Sequence, residues 1–221
     1  MGGHNSAAEP LSRRVRGGLV KVVFQDHFSN HADQYARHRP RYPDALYDYL
    51  AALAPARENA WDCGTGNGQV AVALADRFAK VIATDPSSEQ IAQAFSHKRL
   101  QYRVEPVEAT SLDHKSIDLI TAGTAVHWFD FDRFYAEVNR VGTAGAILAV
   151  WTYNFPIIQP DVDAWISGYY RDTLAGYWPE RIRYLEDHYK TLPFPFEEID
   201  PPEFTMEARW DLDCLIGFLA S

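Results

Sequence analysis

The hydrophobic residues in the middle of the chain follow two different spacings. Short, mostly apolar runs typical of buried strands occur at 59–63, 79–85, 116–123 and 144–153, and residues 100–106 alternate between apolar and polar like a strand. Apolar residues at helical spacing occupy the segments between them, at 69–78, 87–97 and 130–141. Strands that alternate with helices pair in parallel through right-handed crossovers. The pattern therefore predicts an α/β fold, a doubly wound and mostly parallel sheet with helices on both faces, over residues 59–153.

The segment ahead of this core carries a weaker helical pattern. "PDALYDYLAAL" (43–53) places Leu46, Tyr49, Leu50 and Leu53 on one predicted face and has Pro43 at its start. A polar helix is predicted over 26–38, so residues 24–58 read as helices that form a lid. Residues 1–23 are small, polar and basic, and they are predicted to be a disordered leader.

After Tyr153 the strand–helix alternation stops. Two aromatic-rich helices are predicted around 161–175 and 179–190, followed by an extended, proline-rich stretch. Residues 203–211 alternate like a strand, and a last helix follows them. We therefore expect 154–200 to be an added helical cap that contributes to substrate binding, with a C-terminal strand and helix over 201–221.

Composition narrows the function classes. The 221 residues carry a net charge of −9, whereas proteins that bind nucleic acid usually present a basic face. The two cysteines are far apart, which speaks against disulfide frameworks and zinc knuckles, and no carboxylates complete a metal site around the helix-spaced histidines His27, His31 and His38. No apolar run is long enough to cross a bilayer. These features predict a cytoplasmic monomer or homodimer with no nucleic-acid or membrane partner and no bound metal.

The stretch "WDCGTGNGQ" (61–69) carries the main chemical signal. Gly64, Gly66 and Gly68 stand between a predicted strand and a predicted helix, directly after Asp62. Glycine at such a turn adopts positive φ and lets a ligand approach the backbone, while the new helix offers free N–H groups. The spacing is not GxGxxG, because Gln69 stands where the third glycine would be, and no GK[ST] of a P-loop follows.

Asp85 ends the second predicted strand, 19 residues after Gly66. In doubly wound folds an acidic residue at about this distance meets the ribose hydroxyls of an adenosine ligand. The turn and this acid together predict a nucleoside site.

With these residues the chain resembles the class I S-adenosylmethionine-dependent methyltransferases, and within them the small-molecule branch of methyltransferase type 11 and trans-aconitate methyltransferase-like proteins. The resemblance covers residues 24–153. It is carried by four stretches, "FSNHADQYARHRPRYP", "WDCGTGNGQ", "ATDPS" and "LITAGTAVHWFDFDRFYAEVNRV". It implies a Rossmann-like fold, S-adenosyl-L-methionine as cofactor, and methyl transfer to a small molecule.

The resemblance also implies roles for individual residues. The glycines would wrap the methionine part of the cofactor, and Asp85 would bind the ribose. Asp62 would orient the glycine loop or hold the amino group of the cofactor through water. Pro86 and Ser87 would lie along the adenosine, and Glu108 and Ala109 would lie at the adenine edge. Gly123 and Thr124, after the fourth strand, would form the floor near the sulfonium.

Candidates for the methyl-transfer region are less specific. His127 follows the fourth strand and is the candidate general base, although it also suits a helix cap or a contact with the cofactor alone. Aromatic side chains and a lid arginine that could contact the acceptor are Tyr35, Arg39, Tyr42, Trp128, Trp151 and Tyr153. Aromatic residues in 152–200 suggest a partly apolar acceptor, and Arg171, Arg181 and Arg183 could recognise an anion. The acceptor atom is expected to be a carboxylate or a phenolic oxygen.

Other functions remain open at this point. A non-catalytic cofactor-binding protein would bind the same ligand without turnover, and a nicotinamide-dependent oxidoreductase is disfavoured by the position of Gly68. A nucleic-acid methyltransferase is disfavoured by the acidic charge and by "GTAVHW" after the fourth strand. Methyltransferases of this kind usually end in an antiparallel hairpin, and only one such strand is predicted here, so a shortened or truncated C-terminal region is expected.

Overall fold

The computed structural model describes residues 40–153 and 155–219. The predicted leader, the predicted helix over 26–38 and the candidate residues Tyr35 and Arg39 lie outside these described residues.

The first described helix, α1 (Asp44–Leu53), begins directly after Pro43. It buries Leu46 and Leu50 as predicted, together with Tyr47 and Ala51. The predicted face contained Tyr49 and Leu53, which are only half-buried. The buried stripe is formed by two pairs at i, i+4, which lie on one side of a helix, so α1 is rotated slightly from the predicted orientation.

The core alternates strands and helices in the predicted order. These elements are β1 (Asn59–Cys63), α2 (Gln69–Ala75), β2 (Lys80–Asp85), α3 (Ser88–Ala92), β3 (Leu100–Val104), β4 (Ile117–Gly123), α4 (Phe131–Val141) and β5 (Gly142–Trp151). The five strands form one sheet in the order β3-β2-β1-β4-β5, and each neighbouring pair is parallel. The predicted Rossmann-like α/β class is confirmed.

Each face of the sheet carries its own hydrophobic cluster, because successive strand residues point to opposite sides. Trp61 of β1 packs with Phe134 of α4 on one face. Its neighbour Ala60 packs with Leu74 of α2 and Leu50 of α1 on the other. Helices therefore cover both faces, and the loops at the carboxyl ends of the strands are left to form a site.

Helix α3 is shorter than the predicted 87–97. After Ala92 the chain leaves the helix, and the Phe95 N–H donates to Asn67 O at 3.1 Å while Phe95 O accepts from the Tyr102 hydroxyl at 2.6 Å. These bonds to the glycine turn and to β3 replace the bonds of further helical turns.

The region after β5 is helical in short pieces. It contains α5 (Pro160–Gly168), a π-helical turn (Tyr169–Thr173), 3-10 turns (Ala175–Tyr177 and Glu180–Ile182), α6 (Arg183–Glu186) and α7 (Leu212–Leu219). The predicted strand at 203–211 is wrong, because the structure shows no strand or helix there. Alternation alone does not supply a neighbouring strand to pair with, and Phe204 instead packs against Tyr49 with ring centroids 5.7 Å apart.

Within 40–153 and 155–219 no helix is both long and apolar enough to span a membrane. The same residues hold no group of three or more His, Cys, Asp or Glu side chains placed to bind a metal ion.

Candidate active site

The glycine turn between β1 and α2 has the backbone conformation that its sequence predicts. Gly64, Gly66 and Gly68 have φ values of 62°, 54° and 84°, which side-chain-bearing residues rarely adopt. Thr65 N–H donates to Thr84 O of the neighbouring β2 at 3.0 Å, so the turn is tied to the next strand.

The three glycines differ in how much space surrounds the position of an added Cβ. A Cβ on Gly68 would lie 1.9 Å from the Tyr102 hydroxyl oxygen, and a Cβ on Gly64 would lie 2.9 Å from the Ala125 Cβ. Around Gly66 the nearest atom would be Gln90 Oε1 at 3.8 Å. The outer glycines therefore permit close packing of the protein, whereas the central glycine leaves its Cα accessible at close range, as a backbone-binding ligand requires.

Asp62 lies beneath the turn and is 1% exposed. Its Oδ2 accepts the Thr65 hydroxyl at 2.5 Å and its Oδ1 accepts the Thr121 hydroxyl of β4 at 2.8 Å. Burial raises the pKa of Asp62 to about 7, although both hydroxyl donors lower it. Its contacts join the turn to β4, and its role towards the cofactor stays a prediction.

Asp85, at the end of β2, faces the same turn. Its Oδ2 accepts Gly66 N–H at 2.9 Å and its Oδ1 accepts Ser87 N–H at 2.9 Å. Ser87 in turn caps α3 by accepting the Gln90 N–H at 3.2 Å, while Pro86 between them is half-buried. The carboxylate is thus fixed beside the glycine turn that precedes α2, and a carboxylate at this place in a parallel sheet fits an adenosyl ligand.

Glu108 and Ala109 follow β3 at the same edge of the sheet. Glu108 Oε1 accepts the Asp130 N–H at 3.0 Å, just ahead of α4. Ala109 N–H donates to Pro106 O at 3.4 Å in a tight turn. The structure therefore places both residues near the start of α4, and their contact with an adenine ring stays a prediction.

The exit of β4 contains a backbone outlier. Thr124 has φ 52°, which is rare for a β-branched residue and costs on the order of 1–3 kcal/mol. Its N–H donates to Trp151 O at 2.8 Å, and its hydroxyl hydrogen-bonds the Tyr42 hydroxyl at 2.9 Å. Gly123, just before it, leaves room for the Trp151 ring, which a Cβ there would approach to 3.1 Å.

Three of the predicted acceptor residues meet at the ends of β4 and β5. The Tyr42 ring lies edge-on to Trp151 at 5.5 Å and to Tyr153 at 5.9 Å between centroids. Phe218 of α7 joins them, 6.5 Å from Tyr153, and no local sequence pattern indicated this contact. Trp151 Nε1 is buried without a hydrogen-bond partner among the described residues. We call Tyr42, Trp151, Tyr153 and Phe218 the aromatic group.

His127 lies apart from these contacts, in the 3-10 turn Val126–Trp128. It is 2% exposed, its Nδ1 hydrogen-bonds the Tyr189 hydroxyl at 2.8 Å, and its ring lies 4.8 Å from that of Trp128. Burial, reinforced by the nearby Arg181 guanidinium, lowers the pKa of His127 to about 3. The ring is therefore neutral at physiological pH, and its role as a general base stays a prediction that this environment disfavours.

The cap arginines have specific partners. Arg181 Nη1 donates to His127 O at 3.2 Å and to Phe129 O at 2.5 Å, and its guanidinium lies over the Phe131 ring. Arg183 pairs with Glu180 at the surface, at 2.6 Å. Arg181 thus holds the loop after β4, a role that sequence reasoning missed because the carbonyls it binds lie more than 50 residues away. Its recognition of an anion stays a prediction.

Comparisons with known proteins agree with this geometry. Residues 61–150 match the family described as a methyltransferase domain. The chain is 32% identical over 202 residues to a protein of Dictyostelium discoideum assigned as a methyltransferase, a match that covers 90% of this chain and 77% of that protein. A Saccharomyces cerevisiae protein assigned as S-adenosylmethionine-dependent, CRG1, is 26% identical over 136 residues, which cover 58% of this chain and 45% of the yeast protein.

Among solved structures, a protein of Anaeromyxobacter dehalogenans described as a type II methyltransferase matches with a TM-score of 0.76. It is 46% identical, and the match covers 83% of this chain and 78% of that one.

Proposed function

Because this chain belongs to the S-adenosylmethionine-dependent methyltransferases of class I, we propose that it methylates a carboxylate oxygen of a small-molecule acceptor. The family, the enzyme class and the cofactor predicted from the sequence are confirmed by the same comparisons. The acceptor and the roles of individual residues are part of the proposal.

The cofactor supplies an activated methyl group on sulfonium, and the chain supplies binding and alignment. We assign the glycine turn to the methionine part of the cofactor and Asp85 to its ribose. Pro86, Ser87, Glu108 and Ala109 are assigned to the adenosine. Gly123 and Thr124 are assigned to the floor of the crevice, where the methyl group would be transferred.

The observation that carries the choice of a carboxylate is the environment of His127. A phenol must lose its proton during transfer, and a base with a pKa near 3 removes it poorly. Nδ1 of this histidine is also engaged by Tyr189. A carboxylate acceptor is already ionised at neutral pH and needs no base, so it suits this edge of the sheet better.

The aromatic group supports an acceptor with an apolar part. Tyr42, Trp151 and Tyr153 present ring surface at the ends of β4 and β5, where ligands bind in open parallel sheets. Further rings continue into the cap, where Phe155 contacts Tyr170 at 4.8 Å between centroids. We therefore propose that 154–200 caps the acceptor, which is an organic acid with an aromatic or aliphatic body.

The chemistry of the product tests the acceptor atom. The enzyme would be incubated with methyl-labelled S-adenosylmethionine and matched sets of compounds, each offering one skeleton as a carboxylic acid, a phenol and a primary amide. A methyl ester releases its label as volatile methanol in mild alkali, whereas an aryl methyl ether keeps it. We expect alkali-labile label from the acids alone.

Other outcomes would contradict the proposal. Alkali-stable label from the phenols would identify a phenolic acceptor and require a base elsewhere in the chain. Binding of S-adenosylhomocysteine without label transfer to any acceptor class would favour a non-catalytic cofactor-binding protein.

A further inference from the structure

Thr124 combines a strained conformation with hydrogen bonds to two other segments of the chain. Its N–H reaches Trp151 O of β5, and its hydroxyl reaches Tyr42, which lies 82 residues earlier in the chain. The next residue, Ala125, has its Cβ in the position that limits Gly64 to a glycine. Thr124 therefore connects the segment ahead of α1 to the wall of the cofactor turn.

The pairing of β1 with β4 places the loops that follow these two strands side by side. β1 and β4 pair in parallel, with Asp62 opposite Thr121, and the two side chains are hydrogen-bonded at 2.8 Å. The chain after β4 thus leaves the sheet beside the chain after β1. The angle at which it leaves is set at Thr124, where φ is 52°. Since Ala125 packs against Gly64 with no space for one more carbon, a change of that angle moves the wall of the turn.

We propose that the Tyr42–Thr124 hydrogen bond is a positioning device that holds Thr124 in its left-handed conformation and thereby sets the cofactor affinity of the glycine turn. The two residues act through Ala125 and Gly64. A strained residue persists only when its surroundings over-determine it, and here the two hydrogen bonds of Thr124 do so. The proposal rests on the family's cofactor and is independent of the acceptor.

Substitutions at Thr124 separate the hydroxyl from the backbone strain. Thr124→Ser keeps the hydroxyl, Thr124→Val keeps the branched shape without it, and Thr124→Gly removes both the hydroxyl and the strain. Affinity for S-adenosylhomocysteine would be measured by titration calorimetry, and thermal unfolding would be recorded without ligand. We expect Thr124→Ser to bind within 2-fold of the parent and the other two to bind about 5- to 10-fold more weakly, the loss that one net hydrogen bond produces.

The sign of the stability change distinguishes positioning from a merely structural role. Glycine adopts positive φ without strain, so Thr124→Gly should unfold at the same or a higher temperature than the parent while binding more weakly. A purely structural residue would instead lose stability and leave affinity unchanged. Unchanged affinity in Thr124→Gly, within 2-fold, would overturn the proposal.

Tyr42→Phe provides the partner test, and Tyr49→Phe is the matched control because Tyr49 contacts Phe204 by its ring. We expect Tyr42→Phe to weaken binding as much as Thr124→Val does, and the double variant to be no weaker than either single variant. Additive losses of affinity in the double variant would show that the two hydroxyls act separately. That result would also contradict the proposed role of the Tyr42–Thr124 hydrogen bond. Because only S-adenosylhomocysteine is used, neither result depends on whether the acceptor is a carboxylate.

Discussion

The two halves of the candidate site are built in different ways. The turn after β1 is held by bonds within the turn and to the ends of the adjacent strands, mostly through its own backbone, such as Gly68 N–H on Thr65 O and Gly66 N–H on Asp85. The loop after β4 is held by side chains that come from far away, namely Tyr42, Arg181 and Tyr189. The comparison teaches that the cofactor half depends on backbone conformation, whereas the acceptor half depends on long-range side-chain contacts.

The largest effect is expected from breaking the cofactor half at Gly68. Gly68→Ala forces alanine to φ 84° and places its Cβ 1.9 Å from the Tyr102 hydroxyl oxygen. We expect S-adenosylhomocysteine affinity to fall by more than about 100-fold and the free energy of unfolding to fall by about 3 kcal/mol, the sum of left-handed strain and overpacking. Calorimetry and urea unfolding measure the two quantities.

Gly66→Ala is the matched control for this prediction. It imposes a similar φ of 54°, but nothing lies within 3.8 Å of the added carbon. Its unfolding free energy should fall by only about 1 kcal/mol, the cost of the left-handed conformation. Equal losses of unfolding free energy in Gly68→Ala and Gly66→Ala would mean that the contact with Tyr102 is not what makes a glycine necessary at position 68.

A smaller effect is expected from breaking the acceptor half at Arg181. Arg181→Met keeps an apolar side chain over Phe131 but leaves His127 O and Phe129 O without their shared donor. We expect a loss of about 2 kcal/mol in the free energy of unfolding, the usual cost of unpaired buried acceptors. Arg183→Met, two residues away and exposed at the surface, should change the urea midpoint little, and an equal shift in both variants would contradict this account.

The smallest net effect is expected from a change of pH, because each half contains a buried group whose pKa is shifted, and the two shifts have opposite directions. The pKa of Asp62 is raised to about 7, so its contribution to stability is fully present below pH 4 and is lost as pH rises towards 7. The pKa of His127 is lowered to about 3, so its contribution is present above pH 6.5 and is lost as pH falls towards 3. Between pH 4 and 6.5, Asp62 makes the free energy of unfolding fall with rising pH, whereas His127 makes it rise.

A variant that lacks one of the two groups should show the pH dependence of unfolding free energy that the other group causes. In Asp62→Asn the free energy of unfolding should rise more steeply with pH than in the parent, and in His127→Asn it should rise less steeply or fall. Urea unfolding at several pH values between 4 and 7 measures both. Parallel pH profiles in all three proteins would show that neither group titrates as described.

The difference between local backbone conformation and long-range side-chain contacts also explains which features the sequence could predict. The strand–helix alternation, the glycine conformations and the position of Asp85 follow from patterns within about 30 residues, where hydrophobic period and turn chemistry determine structure. The positions of Tyr42, Trp151 and Tyr153 relative to the predicted strands make them candidates, and the structure brings the three rings together. Their contact with an acceptor remains a prediction.

Other features could not be predicted because their cause lies elsewhere in the fold. The neutral state of His127 arises from burial under Tyr189 and Arg181, which no local pattern reports. The alternation at 203–211 indicated a strand, but a strand also needs a neighbour with free backbone groups, and tertiary packing placed Phe204 against α1 instead. Helix α3 was predicted too long for the same reason, since Phe95 bonds to the glycine turn.

The uniform direction of the five strands has a practical consequence for handling the protein. Every strand enters the sheet at one edge and points its carboxyl end at the other, so the exposed turn just before β4, which contains His114, lies roughly 20 Å from Gly123. A cysteine at position 114, in a variant whose half-exposed Cys214 is replaced by serine, would offer a thiol for a fluorophore or a solid support. An enzyme anchored there would turn its binding crevice towards the solution.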